Sequence, residues 1–593
     1  MKVFLGNPET KAPQAQSATS SEGASFLSQP LGRIGYRSRR VGSLVFLSSG
    51  LLLLIATRLF WVQVVDREEY LAEIYRRKAE ISIQGSTGRI LDRDGSFMAV
   101  TDVRPTIGAN PRLIASPWAA ARALAPDLGM SVDALYGLLS KDRAYVYLKR
   151  QVTPEVEEAI RSLELPGIEI RLETARLYPN GQEFARNFIG QVNIDEEPLN
   201  GIEAQYAQTL SGKAGVRQDY VANTAGRSMR LPGGDLKYQA PEPGSDLVTT
   251  IHAPTQYLAE GILKQAVEES GAKWGTAVVL DAKSAEVLAL VDIDRGEESG
   301  LVKVAATSGA YGKTFEPGSV SKTFTIAAAI ELGEVSSGEI FEIPTSYQYA
   351  DKKYSDPYSG QELAVAEVLA KSSNVGTIQI AERLGADQMY HYLKAFGFGR
   401  YSSGDDVIPS LPHESRGKLK LPQDWEGTDL ANISFGQGLS VTAIQVAAAY
   451  NVIANDGVYV APSLIRGTLT PTGAYRPLSK SSGQKVLSEA TTEEMREMLK
   501  GVVVHGTGKR AAVDGYAVAG KTGTAQKPMT DRRGYGDEYT SIFAGFVPVD
   551  EPKITIVVVL DEPEEHSAGR AVAPVFSAIA AEVLTAIGVP EGE

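Results

Sequence analysis

EPGSVSKTFTIAAAIEL, residues 316–332, joins a proline–glycine turn to a strongly apolar run, and the join falls on Ser319. The run reads as a buried helix with Ser319 at its start. On that helix Lys322 stands one turn beyond Ser319 and on the same face. Among Phe324, Ile326 and Ala327 its ammonium form is disfavoured by desolvation, and a second cation nearby pushes the same way. The neutral amine is the form that removes a hydroxyl proton. The start of the helix also offers free backbone N–H groups to a developing oxyanion.

SxxK alone is weak, because it recurs at Ser270, Ser415 and Ser482, where it reads as surface or loop. Two further strings give it weight. SSN occurs at Ser372–Asn374, and KTGT at Lys521–Thr524; with SVSK they supply a nucleophilic hydroxyl, an amine able to take its proton and a strand able to hold an acyl group. GYAVAG before KTG and TAQ after it mark an exposed strand, where Gly523 permits close backbone contact and Thr522 and Thr524 share a face. The chain has no Cys as rival nucleophile, and its five His are scattered.

Around these strings the pattern is helical over 253–270, with Tyr257, Leu258, Ile262, Leu263 and Val267 on one face. A hairpin follows over 276–282 and 286–292, and a second strand pair over 541–549 and 553–560. A helix from about 572 to 585 closes the pattern. Strand pair, helical middle, strands and final helix predict an α+β sandwich whose antiparallel sheet, flanked by helices, draws on both ends of residues 245–593.

With 593 residues, 43% of them apolar, the chain predicts two or more domains. Residues 66–244, a mix of short strands, turns and amphipathic helices opening on a charged helix over 66–83, read as a separate elongated α/β pedestal module. Residues 1–32 are Ser-, Gln-, Ala- and Pro-rich and read as the start of a disordered cytoplasmic tail reaching to residue 40. Residues 41–65 are long and apolar enough for a transmembrane anchor. Arg33, Arg37, Arg39 and Arg40 precede it, while Asp66, Glu68 and Glu69 follow, which puts the N-terminus in the cytoplasm and the rest outside. Bulky Leu59, Phe60 and Trp61 argue against cleavage as a signal peptide. A net charge of −13 argues against nucleic acid as a partner.

The three strings are those of the penicillin-recognising serine acyltransferases, and the chain resembles a class B penicillin-binding protein, of the division-associated branch. The resemblance runs from about 41 to 585. It includes GRILDRDG at 88–95, RLYPNG at 176–181, FIGQVN at 188–193, GIE at 201–203, SFGQGLSVT at 434–442, IANDG at 453–457 and FAGFVPVDEPK at 543–553. It implies a D,D-transpeptidase that cross-links peptidoglycan stem peptides and is acylated by β-lactams. Ser319 would be the nucleophile and Lys322 its base, with Ser372 and Asn374 moving the proton and holding the substrate amide. Lys521 and Thr522 would bind the terminal carboxylate, Gly523 and Thr524 would be substrate-binding with them, and the N–H groups of Ser319 and Thr524 would form the oxyanion hole. No metal or organic cofactor is implied. The implied partners are a polytopic membrane glycosyltransferase and other division proteins.

Thr87, His252, the SGA of 308–310 and the SAG of 567–569 depart from the family pattern, and none touches the three strings. A lateral-wall transpeptidase and a catalytically silent division scaffold are the alternatives. A β-lactamase is disfavoured by the missing Glu-x-x-Leu-Asn string. Glu316 is expected only to brace its turn; Asp292 and the acidic run 561–565 are expected to be solvated.

Overall fold

The computed structural model describes residues 37–69, 78–224, 227–230, 237–402, 411–478, 482–529 and 534–591. The tail expected over 1–32 lies outside them. The chain divides into two compact units, Met1–Ile81 with Gln218–Lys237, and Ser82–Arg217 with Tyr238–Glu593.

In the first unit Arg37–Phe60 is an α-helix that widens into a π-helical turn at Trp61–Val65. The stretch Val41–Val65 has a mean hydropathy of 1.9 and no buried part. Its 25 residues, at about 1.5 Å each, cover a hydrocarbon core about 30 Å thick. A second stretch, Ala568–Ala586, is also long and apolar, but half of it is buried inside the protein, so it is a core element. The helix expected to continue to residue 83 does not do so: Lys78–Ile83 is a strand. The charged run suggested a helix, yet Ala79, Ile81 and Ile83 alternate with Glu80 and Ser82, the period of a strand.

The second unit is organised on a six-stranded antiparallel sheet. Its strands are β1 (Trp274–Asp281), β2 (Val287–Arg295), β3 (Val302–Val304), β4 (Ala519–Pro528), β5 (Tyr535–Val547) and β6 (Ile554–Asp561). Their order is β3-β2-β1-β6-β5-β4, so the two ends of the sequence meet where β1 pairs with β6. Alternate residues enter different cores. Ala277 and Val279 face the helices Ala253–Ser270 and Ala573–Ala586, whereas Val278 and Leu280 face the helical middle. A sheet covered on both faces explains runs as continuously apolar as ITIVVVL.

Helix Ala253–Ser270 has the expected bounds but is rotated from the expected face. Ala259, Leu263 and Val267 are buried, while Tyr257 is 70% exposed. The Gln256 side chain fixes the rotation: its Nε2 donates to Leu290 O at 3.0 Å, and its Oε1 accepts from Leu290 N at 2.8 Å.

A seven-stranded sheet uses chain from both sides of position 244. Ile90–Leu91, Phe97–Ala109, Val146–Lys149 and Ile168–Leu177 join Asp246–Thr249, Ile465–Leu469 and Tyr475–Pro477. Beneath it Arg176 Nε donates to Glu203 Oε1 at 2.7 Å and Nη1 to Gly88 O at 2.8 Å, both side chains almost fully buried. RLYPNG, GIE and GRILDRDG, separate in sequence, thus share one ion pair.

Two of the acids expected to be solvated are buried, while Glu564 in the run 561–565 is exposed. Asp292 is buried in β2, where its Oδ2 accepts from Asn187 Nδ2 at 2.8 Å and Ser308 Oγ at 2.6 Å. Burial pushes its carboxyl up. Asp561 is buried at the end of β6, accepting from Lys527 Nζ and Thr540 Oγ1, each at 3.0 Å. In both cases the strand extends as far as the acid or beyond it, and side chains distant in sequence supply the hydrogen bonds that burial demands.

Candidate active site

Gly318–Ser321 forms a 3-10 turn that passes directly into helix Lys322–Glu331. In a 3-10 turn residues three apart eclipse, so Ser319 and Lys322 project from one side. The first turn of a helix leaves its N–H groups without intrahelical partners. The helix is sunk in the core, where Phe324 packs against Phe396, Phe398 and Tyr450 at ring-centroid distances of 4.9, 5.1 and 5.3 Å. Tyr450 also donates to Val320 O at 3.1 Å and shares a hydrogen bond with Thr323. The backbone carrying Ser319 is thereby fixed from below.

Lys322 is completely buried. Its Nζ lies 2.5 Å from Ser372 O and 3.1 Å from Ser372 Oγ. Desolvation, then the nearby charge of Lys521, holds this amine well below the ordinary lysine range, against an opposing pull from Asp356. Those are the two causes expected from the apolar helix and a second cation.

SSN is a corner between two helices. Ser372 ends helix Val365–Lys371 in the left-handed region, at φ 64° and ψ 40°. Ser373 caps the next helix, its Oγ accepting from Gly376 N at 2.9 Å, and Asn374 is the first residue of Asn374–Ala395. A serine with this φ stores backbone strain of roughly 1–3 kcal/mol, a feature that clusters at functional sites. The strain aims Ser372 Oγ between two lysines, because Lys521 Nζ also donates to it, at 3.0 Å. Lys521 is fully buried, and desolvation pushes its amine down to about 7.

Lys521, Thr522, Gly523 and Thr524 lie on β4, the edge strand, which among the described residues pairs only with β5. A Cβ at Gly523 would lie 2.8 Å from Pro317 O and 3.0 Å from Val320 Cγ1, so the strand abuts the Ser319 turn. Gly318, at φ +56°, faces Ala525 from the other side. A Gly523→Ala substitution meets backbone that has nowhere to move; it is expected to cost about 1–3 kcal/mol, read as a lowered denaturation midpoint.

The eight residues singled out from the sequence therefore fall on three elements. Direct hydrogen bonds join Lys322, Ser372 and Lys521; packing joins Gly523 to the Ser319 turn; Asn374 adjoins Ser372 in the corner. Thr524 Oγ1 accepts from Ala568 N at 3.3 Å. Glu316 braces its turn as expected, accepting from Gly438 N at 2.9 Å in the SFGQG loop. Sequence reading missed Thr507, whose Oγ1 shares a 2.7 Å hydrogen bond with Thr522 Oγ1, and Asp356. The flanking glycines of HGTG signal a close turn and the Asp-Pro of YSDPYSG a loop, but neither signal names the cleft.

Comparison with known proteins agrees with this geometry. Residues 275–581 match the penicillin binding protein transpeptidase domain, and residues 82–249 the penicillin-binding protein dimerisation domain. Penicillin-binding protein PbpB of Mycolicibacterium smegmatis is 34% identical over 79% of this chain and 74% of its own. Peptidoglycan D,D-transpeptidase FtsI of Escherichia coli is 30% identical over 90% of this chain and 89% of its own. Among solved structures, penicillin binding protein 3 from Mycobacterium tuberculosis, complexed with aztreonam, is similar with a TM-score of 0.67 and 28% identity, over 86% of this chain and 98% of that one.

Proposed function

The chain belongs to the penicillin-binding protein family of transpeptidases, and on that premise we propose how its cleft performs peptidoglycan D,D-transpeptidation and takes up β-lactams. Neutral Lys322 removes the Ser319 Oγ proton, and Oγ attacks the carbonyl of the penultimate D-Ala. The N–H groups of Ser319 and Thr524 receive the oxyanion. The proton passes through Ser372 to the departing D-Ala amine as the C–N bond breaks, leaving an ester on Ser319. An amine from a second strand attacks that ester, and its proton returns through Lys322 to Oγ. Asn374 holds the substrate amide. Lys521, still protonated in part, binds the terminal carboxylate with Thr522 and Thr524, and Thr507 orients Thr522.

One observation carries this reading: Ser372 Oγ lies 3.1 Å from one buried lysine amine and 3.0 Å from the other. The test is a D-Ala-D-Ala stem-peptide analogue offered to the full chain with a D-amino acid acceptor. D-Ala release with formation of a new amide supports it; neither product, with active protein by penicillin labelling, contradicts it.

The lysines also set the pH profile of acylation by a chromogenic cephalosporin. Protonation of Lys322 produces the acid limb. Loss of the Lys521 proton removes the partner of the cephalosporin carboxylate, so the second-order rate constant is expected to fall above a pH of about 7. Because an arginine stays protonated throughout, Lys521→Arg is expected to remove the alkaline limb.

The helix Val41–Val65 anchors the protein, with the arginine-rich flank on the cytoplasmic side and the catalytic unit outside; protease protection of the N-terminus in intact cells tests that orientation. The names of its relatives are consistent with a role at the division septum, and the partner proposed there is a polytopic membrane glycosyltransferase. Depletion is expected to give filaments, and rounded cells would point instead to lateral-wall synthesis.

A further inference from the structure

The three strings do not account for Asp356. It lies in the turn SDPYSG, in the segment between the nucleophile helix and helix Val365–Lys371. One carboxylate oxygen organises its own turn: Oδ1 accepts from Tyr358 N at 3.1 Å, while Ser359 Oγ donates to Asp356 O at 2.6 Å. The other reaches across to the SSN corner, where Oδ2 accepts from Ser373 Oγ at 2.6 Å and from Val375 N at 3.2 Å. The short O–H···O contact is that of a charge-assisted hydrogen bond.

Ser373 and Val375 flank the residues that hold the chemistry. Ser372 is in a strained conformation before Ser373, and Asn374 follows it. A turn of positive φ persists only where its surroundings over-determine it, and Asp356 supplies two of the bonds that do so here. The same carboxylate favours the charged form of Lys322, against the neighbouring cation Lys521.

We propose that Asp356 is a positioning residue for acyl transfer, clamping the Ser372–Asn374 corner and serving as counter-charge to Lys322, which that corner holds. It touches no reacting atom. It fixes where Ser372 Oγ sits, and it sets how far Lys322 can be stripped of positive charge. The inference rests on Lys322 being the base for Ser319.

The two parts of the proposal separate by substitution. Ser373→Ala breaks the clamp and keeps the charge: acylation by a chromogenic cephalosporin is expected to drop about ten- to a hundredfold, with the acid limb of the pH profile unmoved. Asp356→Asn removes the charge. Without the anion the protonated form of Lys322 is less favoured, so the acid limb is expected to move to lower pH by about half to one unit. The position of a limb does not depend on the fraction of active protein, so partial misfolding does not obscure it. An Asp356→Asn limb that stays in place overturns the counter-charge role. A Ser373→Ala enzyme that acylates at the wild-type rate overturns the clamp. Failure of the wild-type chain to be acylated at all would instead overturn the transpeptidase reading itself.

Discussion

Lys322→Arg is expected to lower the rate of acylation by a β-lactam about 10³- to 10⁴-fold while the protein remains folded. The substitution keeps hydrogen-bond donors near Ser372 and leaves Lys521 in place to bind the substrate carboxylate. What it removes is the ability to become neutral, because a guanidinium does not give up its proton in proteins. In the wild-type site complete burial and the neighbouring Lys521 both oppose the ammonium form of Lys322. An arginine in that place stays charged, leaves Ser319 Oγ protonated, and adds a permanent cation beside Ser372. The measurement is the acylation rate constant beside the denaturation midpoint. A rate within tenfold of wild type would mean that proton removal does not pass through residue 322.

The second large effect is on stability. Arg176→Leu leaves Glu203 without its partner in the buried cluster below GRILDRDG, and breaking a buried ion pair from one side costs about 3–5 kcal/mol. Even in the intact pair, burial raises the Glu203 carboxyl above its usual range, against the pull of Arg176. Without the guanidinium it rises further. A carboxyl whose folded value lies above its unfolded value binds its proton more tightly in the folded state, so stability falls as pH increases between the two values. The loss in Arg176→Leu is therefore expected to be smallest near pH 5 and largest near pH 8, in urea denaturation of the full chain. Replacing Glu203 by Leu as well is expected to restore much of it and to flatten the pH dependence. A penalty independent of pH would point to lost packing of the arginine stem instead.

The parts of this protein that were legible in its sequence are those where one stretch carries its own signal. The apolar run after Ser319 announces a buried helix, and with it the depressed lysine. The paired strands TAVVLDA and KITIVVVL announce a sheet, and their near-continuous apolarity agrees with helices on both faces. What stayed hidden depends on partners far along the chain. The rotation of helix Ala253–Ser270 is set by Gln256 gripping β2, which no apolar period records. The burial of Asp292 is set by Asn187 and Ser308, and that of Asp561 by Lys527 and Thr540. A single sequence shows an acid after a strand and gives no sign of the donors that wait for it. Thr507 and Asp356 escaped for the same reason: each enters the cleft from a loop, and its contact is made with a string more than a dozen residues away.

The central claim is that Ser319 is the atom donor of the covalent bond. Intact-mass measurement of the full chain after incubation with benzylpenicillin, followed by peptide mapping, tests it most directly. One penicilloyl group on the peptide carrying Ser319, absent from Ser319→Ala, is expected. An adduct that persists in Ser319→Ala, or maps to another residue, would contradict it.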